Sequence, residues 1–228
     1  MNNNIMTRNK PSVGEKYEKR MYGCVKDKLR LACIPSTVIP NALLFCGNNK
    51  ADFNRVRNAY INGGRRVPDQ TCEIDLLIIN RKGIFCIECK AQESENFWPL
   101  MGGVHEAKWN YRKKYGEKGV DKDNPIRQNV FHCNVLKKIV GDKNIVNIFS
   151  KNLTWHDLKV VLAYDKRYIK LNLFKNFCFL EKEKIPSYVT IDAGGMKKMI
   201  RKMKRMPNLY DKDEVQRIVE KINLMKIN

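Results

Sequence analysis

The sequence predicts an α/β fold, and three observations carry that reading. Two neighbouring runs, DLLII (75–79) and GIFCI (83–87), are apolar on both faces, as strands buried in the middle of a sheet are. The segments on either side repeat apolar residues every three or four positions, the helical period. The tail, 193–228, carries two further helical patterns, and no low-complexity linker divides the 228 residues, so one domain with C-terminal helical decoration is expected.

Residues 1–13 are polar and aperiodic and are expected to be disordered. From Gly14 a helix begins whose inward face holds Glu18, Met21, Tyr22, Val25 and Leu29, a carboxylate among apolar residues. An irregular stretch from 34 to 54 leads to an expected strand over 56–61, a turn at Gly63-Gly64, and the strands Glu73–Ile79 and Ile84–Cys89. The segment 97–123, rich in Gly, Lys and aromatics, reads as a long functional loop or an insertion with short elements. Asn124-Pro125 supplies an N-cap and a first-position proline for a helix to about Val140, with Ile126, Val130, Cys133 and Leu136 along its apolar stripe. A strand is expected over Leu158–Ala163, and helices over 195–206 and 211–225 with Pro207 between them.

Lys and Arg number 44 against 24 acids, a formal charge of +20 that favours a polyanionic partner such as nucleic acid. The eight cysteines are scattered, and no apolar leader of the secretory kind opens the chain, so reduced thiols in a cytoplasmic protein are expected. Nothing approaches the roughly 18 consecutive apolar residues of a membrane span, so no membrane is implied.

The hairpin raises the chemical question, because Asp75, Glu88 and Lys90 interrupt its apolar runs. A turn centred on Arg81-Lys82 sets Asp75 opposite Glu88 and Glu73 opposite Lys90. Glu73 and Lys90 could form an ordinary cross-strand ion pair on a solvated face. Two carboxylates about 5 Å apart across a ladder, however, repel, and buried they need a positive partner. A divalent cation with oxygen ligands, such as Mg²⁺, supplies one.

With these residues in view, the chain resembles the nuclease-related domain (NERD) family, a branch of the PD-(D/E)XK nuclease superfamily. The resemblance runs from about Gly14 to Tyr164 and rests on EIDLLIINRKGIFCIECK and on KWNY followed by DKDNPIRQNVFHCNVLKKIV. It implies a restriction-endonuclease-like core, a central mixed β-sheet flanked by helices, over 14–192, followed by a basic helical extension over 193–228. It implies Asp75 and Glu88 as metal ligands, Lys90 as the catalytic lysine, and Gln128 as a glutamine facing the site. The first-helix acid is Glu15 or Glu18, both present in GEKYEKRM; Glu18 is preferred because it lies on the inward stripe. The implied activity is Mg²⁺- or Mn²⁺-dependent hydrolysis of phosphodiester bonds, with DNA favoured over RNA. The alternative is a nucleic-acid-binding protein that keeps the fold without cutting, and a homodimer is among the oligomeric states left open. The long stretch before Asp75 and the segment ESENFWPLMGGVH depart from the family pattern beside the expected groove.

Arg65, Arg66, Lys108, Arg112, Lys113, Lys114 and Arg127 are candidate backbone contacts, with Trp98, Trp109, Tyr111 and Tyr115 as stacking platforms; the plainer reading is solvated surface and core. MKKMIRKMKRM (196–206) places Met196, Met199, Ile200 and Met203 on one helix side and cations on the other, and is expected to dock its methionines on the domain. Cys86 and Cys89 lie three apart in a strand, on opposite faces, which rules out a zinc site built on that CxxC. His132, four residues after Gln128 on the same helix face, is within reach of the site, but the preferred reading is a hydrogen-bonded helix histidine; His105 and His156 carry no signal.

Overall fold

Ser12 and Glu15 start the first helix reciprocally: Ser12 Oγ accepts from the Glu15 N–H at 3.1 Å, and Glu15 Oε2 accepts from the Ser12 N–H at 2.6 Å. Two donors that a helix start leaves without partners are thereby satisfied. In this computed structural model helix α1 spans Val13–Leu31 and buries Tyr17, Met21, Val25 and Leu29, so three residues of the expected stripe are buried, Glu18 and Tyr22 are half-buried at its edge, and Tyr17 joins it unforeseen. The structure describes residues 11–63, 70–91, 97–101, 107–113, 120–141, 143–151, 178–180 and 185–228. The stretch 1–10, read as disordered, and the strand expected over 158–163 lie outside them, as do His105 and His156.

Strands β1 (Ser36–Phe45), β2 (Thr71–Asn80) and β3 (Gly83–Lys90) are antiparallel neighbours. Strands β4 (Phe97–Met101), β5 (Lys108–Lys113) and β6 (Val120–Asp123) form a separate three-stranded meander, the short elements expected of that insertion. Helix α2 covers Lys50–Gly63 and α3 covers Pro125–Val140. Strands β7 (Ile145–Lys151), β8 (Cys178–Leu180) and β9 (Ile185–Ile191) complete a six-stranded mixed sheet in the order β1-β2-β3-β7-β9-β8, with β3, β7 and β9 parallel. Helices α4 (Asp192–Arg205) and α5 (Lys212–Leu224) follow. The sheet is sandwiched between α1 with α4 on one face and α3 with α5 on the other, each pair closing its own hydrophobic cluster. Among the described residues no helix is long and apolar enough to cross a membrane.

Two expectations fail before Asp75. Residues 36–45 of the stretch read as irregular form β1, and 56–61, read as a strand, lie inside α2. Asn49 opens α2 by accepting from the Asp52 N–H at 2.7 Å, and Phe53, Val56 and Tyr60 pack on Leu43 and Phe45. Their spacing of three and four is helical, but the short VRNAYI run also reads as a strand, an ambiguity that tertiary packing resolves. In β1, Pro40 and Asn41 read as strand breakers, yet the strand continues through them with Asn41 at φ 45°.

The β2–β3 hairpin takes the expected register, Leu76↔Ile87 through Asn80↔Gly83, around Arg81-Lys82. Gly83 holds φ +146°, and a Cβ there would meet the Asn144 carbonyl oxygen at 3.3 Å, so glycine is required at the turn. The α4–α5 connection grips this turn: Leu209 and Tyr210 donate their N–H groups to the Arg81 carbonyl, and Lys82 Nζ donates to the Met206 carbonyl at 2.6 Å. At the other side of the sheet, residues 225–227 pair with β1 and cover its open edge, Phe45 N–H donating to the Met225 carbonyl and Ile227 N–H to the Leu43 carbonyl. Met196, Met199, Ile200 and Met203 are buried, so α4 docks its methionines as expected.

One buried amide pins α3 to the sheet. Asn129 is fully buried, and its Nδ2 lies 2.9 Å from the Cys86 carbonyl, 2.7 Å from Asn147 Oδ1 and 3.2 Å from the Ile148 carbonyl, while its Oδ1 accepts from the Cys86 thiol. Asn129→Ala strips buried acceptors of a donor and is expected to lower unfolding free energy by about 2–3 kcal/mol. A urea midpoint unmoved by the substitution would contradict this account of how α3 is held.

Candidate active site

The sheet opens locally around Asp75. Pairing between β1 and β2 runs to Pro40↔Leu76 and resumes at Ala42↔Ile74, passing over Asn41 and Asp75. The β2–β3 ladder ends at Leu76↔Ile87. The expected face-to-face ladder pair of Asp75 with Glu88, and of Glu73 with Lys90, therefore does not form; both positions lie past the last paired residues. The alternation of faces slips at the same place, since Cys72 and Ile74 join the same cluster as Leu77 and Ile79. Freed from the ladder, Asp75 turns its carboxylate to β3, and Oδ2 accepts from the Cys89 N–H at 2.7 Å. A side chain thus takes the place of a backbone acceptor, which seats Asp75 beside Glu88.

Glu88 is 2% exposed, and its Oε1 lies 2.5 Å from Lys90 Nζ, while the Lys90 side chain is 34% exposed. The buried carboxylate is joined to a lysine whose side chain is partly exposed. Glu73 is exposed, and the Lys90 ammonium goes to Glu88 instead of forming the cross-strand pair. Burial, and then the charge of Asp75, push the Glu88 carboxyl up to about 7, against the pull of Lys90. Asp75 is raised by burial, opposed by the Cys89 N–H and by Lys90. Glu18, half-buried on α1, is also pushed up to about 7, by burial first and then by Asp75 and Glu73. Glu15 is exposed, with its carboxylate held in the N-terminal cap, so Glu18 is the first-helix acid that faces the group. Asp75, Glu88, Lys90 and Glu18 therefore share one electrostatic neighbourhood.

From the opposite face α3 brings His132. Its Nδ1 lies 3.5 Å from Glu88 Oε2, is buried, and makes no hydrogen bond among the described residues. That corrects the expectation of a hydrogen-bonded helix histidine. Burial, then Lys90, lower its pKa to about 4, so at neutral pH the imidazole is uncharged and its contact with Glu88 is not an ion pair. Gln128 lies one helical turn earlier and is exposed, which sets it on the same side of α3 towards solvent. Their spacing of four in the sequence put Gln128 and His132 on one face of α3 but did not point to Glu88; Asn129 between them, the structural clamp, had no signal beyond being polar on a buried helix.

The donor chemistry fits a hard divalent cation. Asp75 Oδ1 and Glu88 Oε2 are the carboxylate oxygens not taken by Cys89 N–H or Lys90 Nζ, and Glu18 and Glu88, pushed towards protonation by burial and then by Asp75, would ionise more readily beside a cation. Among the described residues no group of three or more His, Cys, Asp or Glu is placed to hold a metal ion, so Glu18, Asp75 and Glu88 do not form a ready three-ligand set. Mg²⁺ does not need one, since it is usually held by one or two carboxylates with water and substrate phosphate oxygens.

The expected nucleic-acid contacts divide. Arg127 is exposed on the first turn of α3, and Lys108 is exposed at the start of β5. Trp109, Arg112 and Lys113 lie in β5, but their side chains fall outside the described residues, as do Arg65, Arg66 and Lys114 altogether. Cys86 and Cys89 point into opposite clusters, and Cys24, Cys33, Cys46, Cys72, Cys86, Cys89 and Cys133 are free thiols.

Among protein-family models, one described as nuclease-related domain matches residues 42–161, just over half the chain. That segment contains Asp75, Glu88, Lys90, Gln128 and His132 and begins after α1, so the place of Glu18 rests on geometry alone. No curated protein and no solved structure matches.

Proposed function

Because the chain belongs to the nuclease-related domain family, we propose that it is a Mg²⁺- or Mn²⁺-dependent nuclease that hydrolyses phosphodiester bonds, with DNA as its substrate. The observation that carries the proposal is the opening of the ladder on both sides of Asp75, which brings its carboxylate to β3 beside the buried Glu88–Lys90 pair.

In this reading Asp75 and Glu88 hold the cation, with Glu18 assisting from α1. Bound there, the cation would supply Lewis-acid neutralisation of phosphate charge and favour ionisation of water. Lys90, partly exposed, presents its ammonium to the substrate phosphate and to the developing charge. Gln128 positions water or a strand by hydrogen bonding, since an amide has no useful proton to exchange. Neutral His132 packs against Glu88 without adding charge to the site. The proposal includes a cytoplasmic, reducing setting, in keeping with the free thiols.

Purified protein given plasmid, linear duplex and single-stranded DNA and RNA is expected to cut DNA with Mg²⁺ or Mn²⁺ and to stop in EDTA. Glu18→Gln should lower the rate by about tenfold or more if the acid helps hold the ion, while Glu15→Gln, which touches only the cap, should cut as wild type and lose about 1 kcal/mol or less of stability. Cleavage that persists in EDTA would refute the proposal. Absence of cleavage with salt-sensitive binding would favour the non-catalytic alternative.

A further inference from the structure

Helix α4 carries an unusual surface. Lys197, Lys198, Arg201, Lys202, Lys204 and Arg205 are all exposed, and residues 193–210 contain no acid. Lys197 with Arg201, Lys198 with Lys202 and Arg201 with Arg205 stand four apart, the spacing at which like charges repel along a helix. Helix α5, of similar length, balances Lys212, Arg217 and Lys221 with Asp213, Glu214 and Glu220, and Glu214 pairs with Lys143. A helix that merely solvates its outer face looks like α5. In α4 the repulsion is tolerated because Met196, Met199, Ile200 and Met203 anchor the opposite side in the core.

The position of α4 gives the charge a direction. Lys82 Nζ donates to the Met206 carbonyl, and Asn80 Nδ2 to Met203 Sδ, so the C-terminal end of α4 lies at the hairpin turn. Helix α1 also ends there, since β1, which follows it, pairs Ser36 with Asn80. Both helices therefore start at the opposite end of the sheet, where Ile191, just before α4, is in register through Lys151 with Lys90. The two pack side by side in one cluster, and α1 adds exposed Lys16, Lys19 and Arg20 at the same end.

We infer that the outer face of α4, continued by the start of α1, is a nucleic-acid-binding surface distinct from the catalytic cleft, which holds the sugar–phosphate backbone of a strand leading away from the site. A helix of this length extends about 20 Å, room for roughly six phosphates of one strand. The contacts are ionic, so the surface does not read sequence. Nucleic acid fits better than a lipid surface, because the apolar side of α4 is already committed to the core and none remains to enter a bilayer.

The test measures binding of a labelled DNA duplex in EDTA over a range of salt, so that it does not depend on cleavage. Combined Lys198→Gln, Arg201→Gln and Arg205→Gln is expected to weaken binding about tenfold or more and to reduce the salt slope by about 2–3. Lys212→Gln, Arg217→Gln and Lys221→Gln on α5, with the same change in net charge, should weaken it less than about threefold. Arg201→Gln alone, a single exposed change, should show a proportionate loss if the triple variant melts early. Equal losses from the two helices, or none from α4, would overturn the inference, as would loss of binding to phosphatidylserine vesicles with DNA binding intact. Unchanged cleavage with no effect of α4 sinks this surface alone; α4-dependent binding without cleavage sinks only the nuclease reading.

Discussion

Lys90→Ala is expected to reduce metal-dependent DNA cleavage by about 100- to 1,000-fold, the loss typical when a donor aimed at developing transition-state charge is removed. The argument rests on unequal exposure within one ion pair. Glu88 is sealed in, whereas the Lys90 side chain is 34% exposed, so of the two partners Lys90 is the one that a phosphate can approach. The fold should survive, because without Lys90 a Glu88 carboxyl already raised to about 7 takes up a proton instead of standing as a bare buried charge. The decisive comparison is single-turnover cleavage beside thermal melting. A variant that melts like wild type and cuts within a few-fold of it would remove Lys90 from the chemistry; one that has simply unfolded would be seen in the melt, and Lys90→Arg, which keeps the charge with a different reach, then decides.

Glu88→Gln should do the opposite to stability: in EDTA at pH 8 it is expected to be more stable than wild type by about 3 kcal/mol, while losing cleavage. The sign follows from the direction of the shift. The folded-state pKa of Glu88, about 7, lies above the ordinary value of 4.5. As pH rises from 4.5 the unfolded chain gives up this proton first, so the folded protein loses stability until about pH 7, beyond which the whole penalty stands. Below pH 4.5 both states are protonated, and the advantage of glutamine should vanish. The substituted amide keeps an oxygen for Lys90, so the comparison isolates the repulsion with Asp75 and the burial of charge. Mg²⁺ or Mn²⁺ at pH 8 should raise the melting temperature of wild type more than that of the variant. A variant less stable than wild type at pH 8 would show that Glu88 sits comfortably ionised, and the cation would lose its reason to bind.

Such a site is stabilised elsewhere. Asn129 ties α3 to β3 and β7, Tyr17 Oη and Ser150 Oγ, 3.0 Å apart, tie α1 to β7, and the α4–α5 connection holds the hairpin turn. Each fastens an element that carries a site residue, which is how a cluster of mutually repelling acids can be kept in place.

Local pattern determined the parts of this protein whose causes are local. The hairpin register followed from its turn, the inward faces of α1 and α4 from helical periodicity, the start of α3 from Asn124-Pro125, and the group Asp75, Glu88 and Lys90 from acids and a lysine set in apolar strands. Tertiary structure alone decided that β1 would run on through Pro40 and Asn41, that VRNAYI would coil onto Leu43 and Phe45, and that His132 would meet Glu88. It also decided that the ladder would part at Asp75, so that the aspartate reaches β3 through the Cys89 N–H instead of standing across from Glu88. The physical reason is range: a turn or a helix face is set by residues a few positions apart, whereas a break in pairing depends on strands and helices brought together only by the packed sheet.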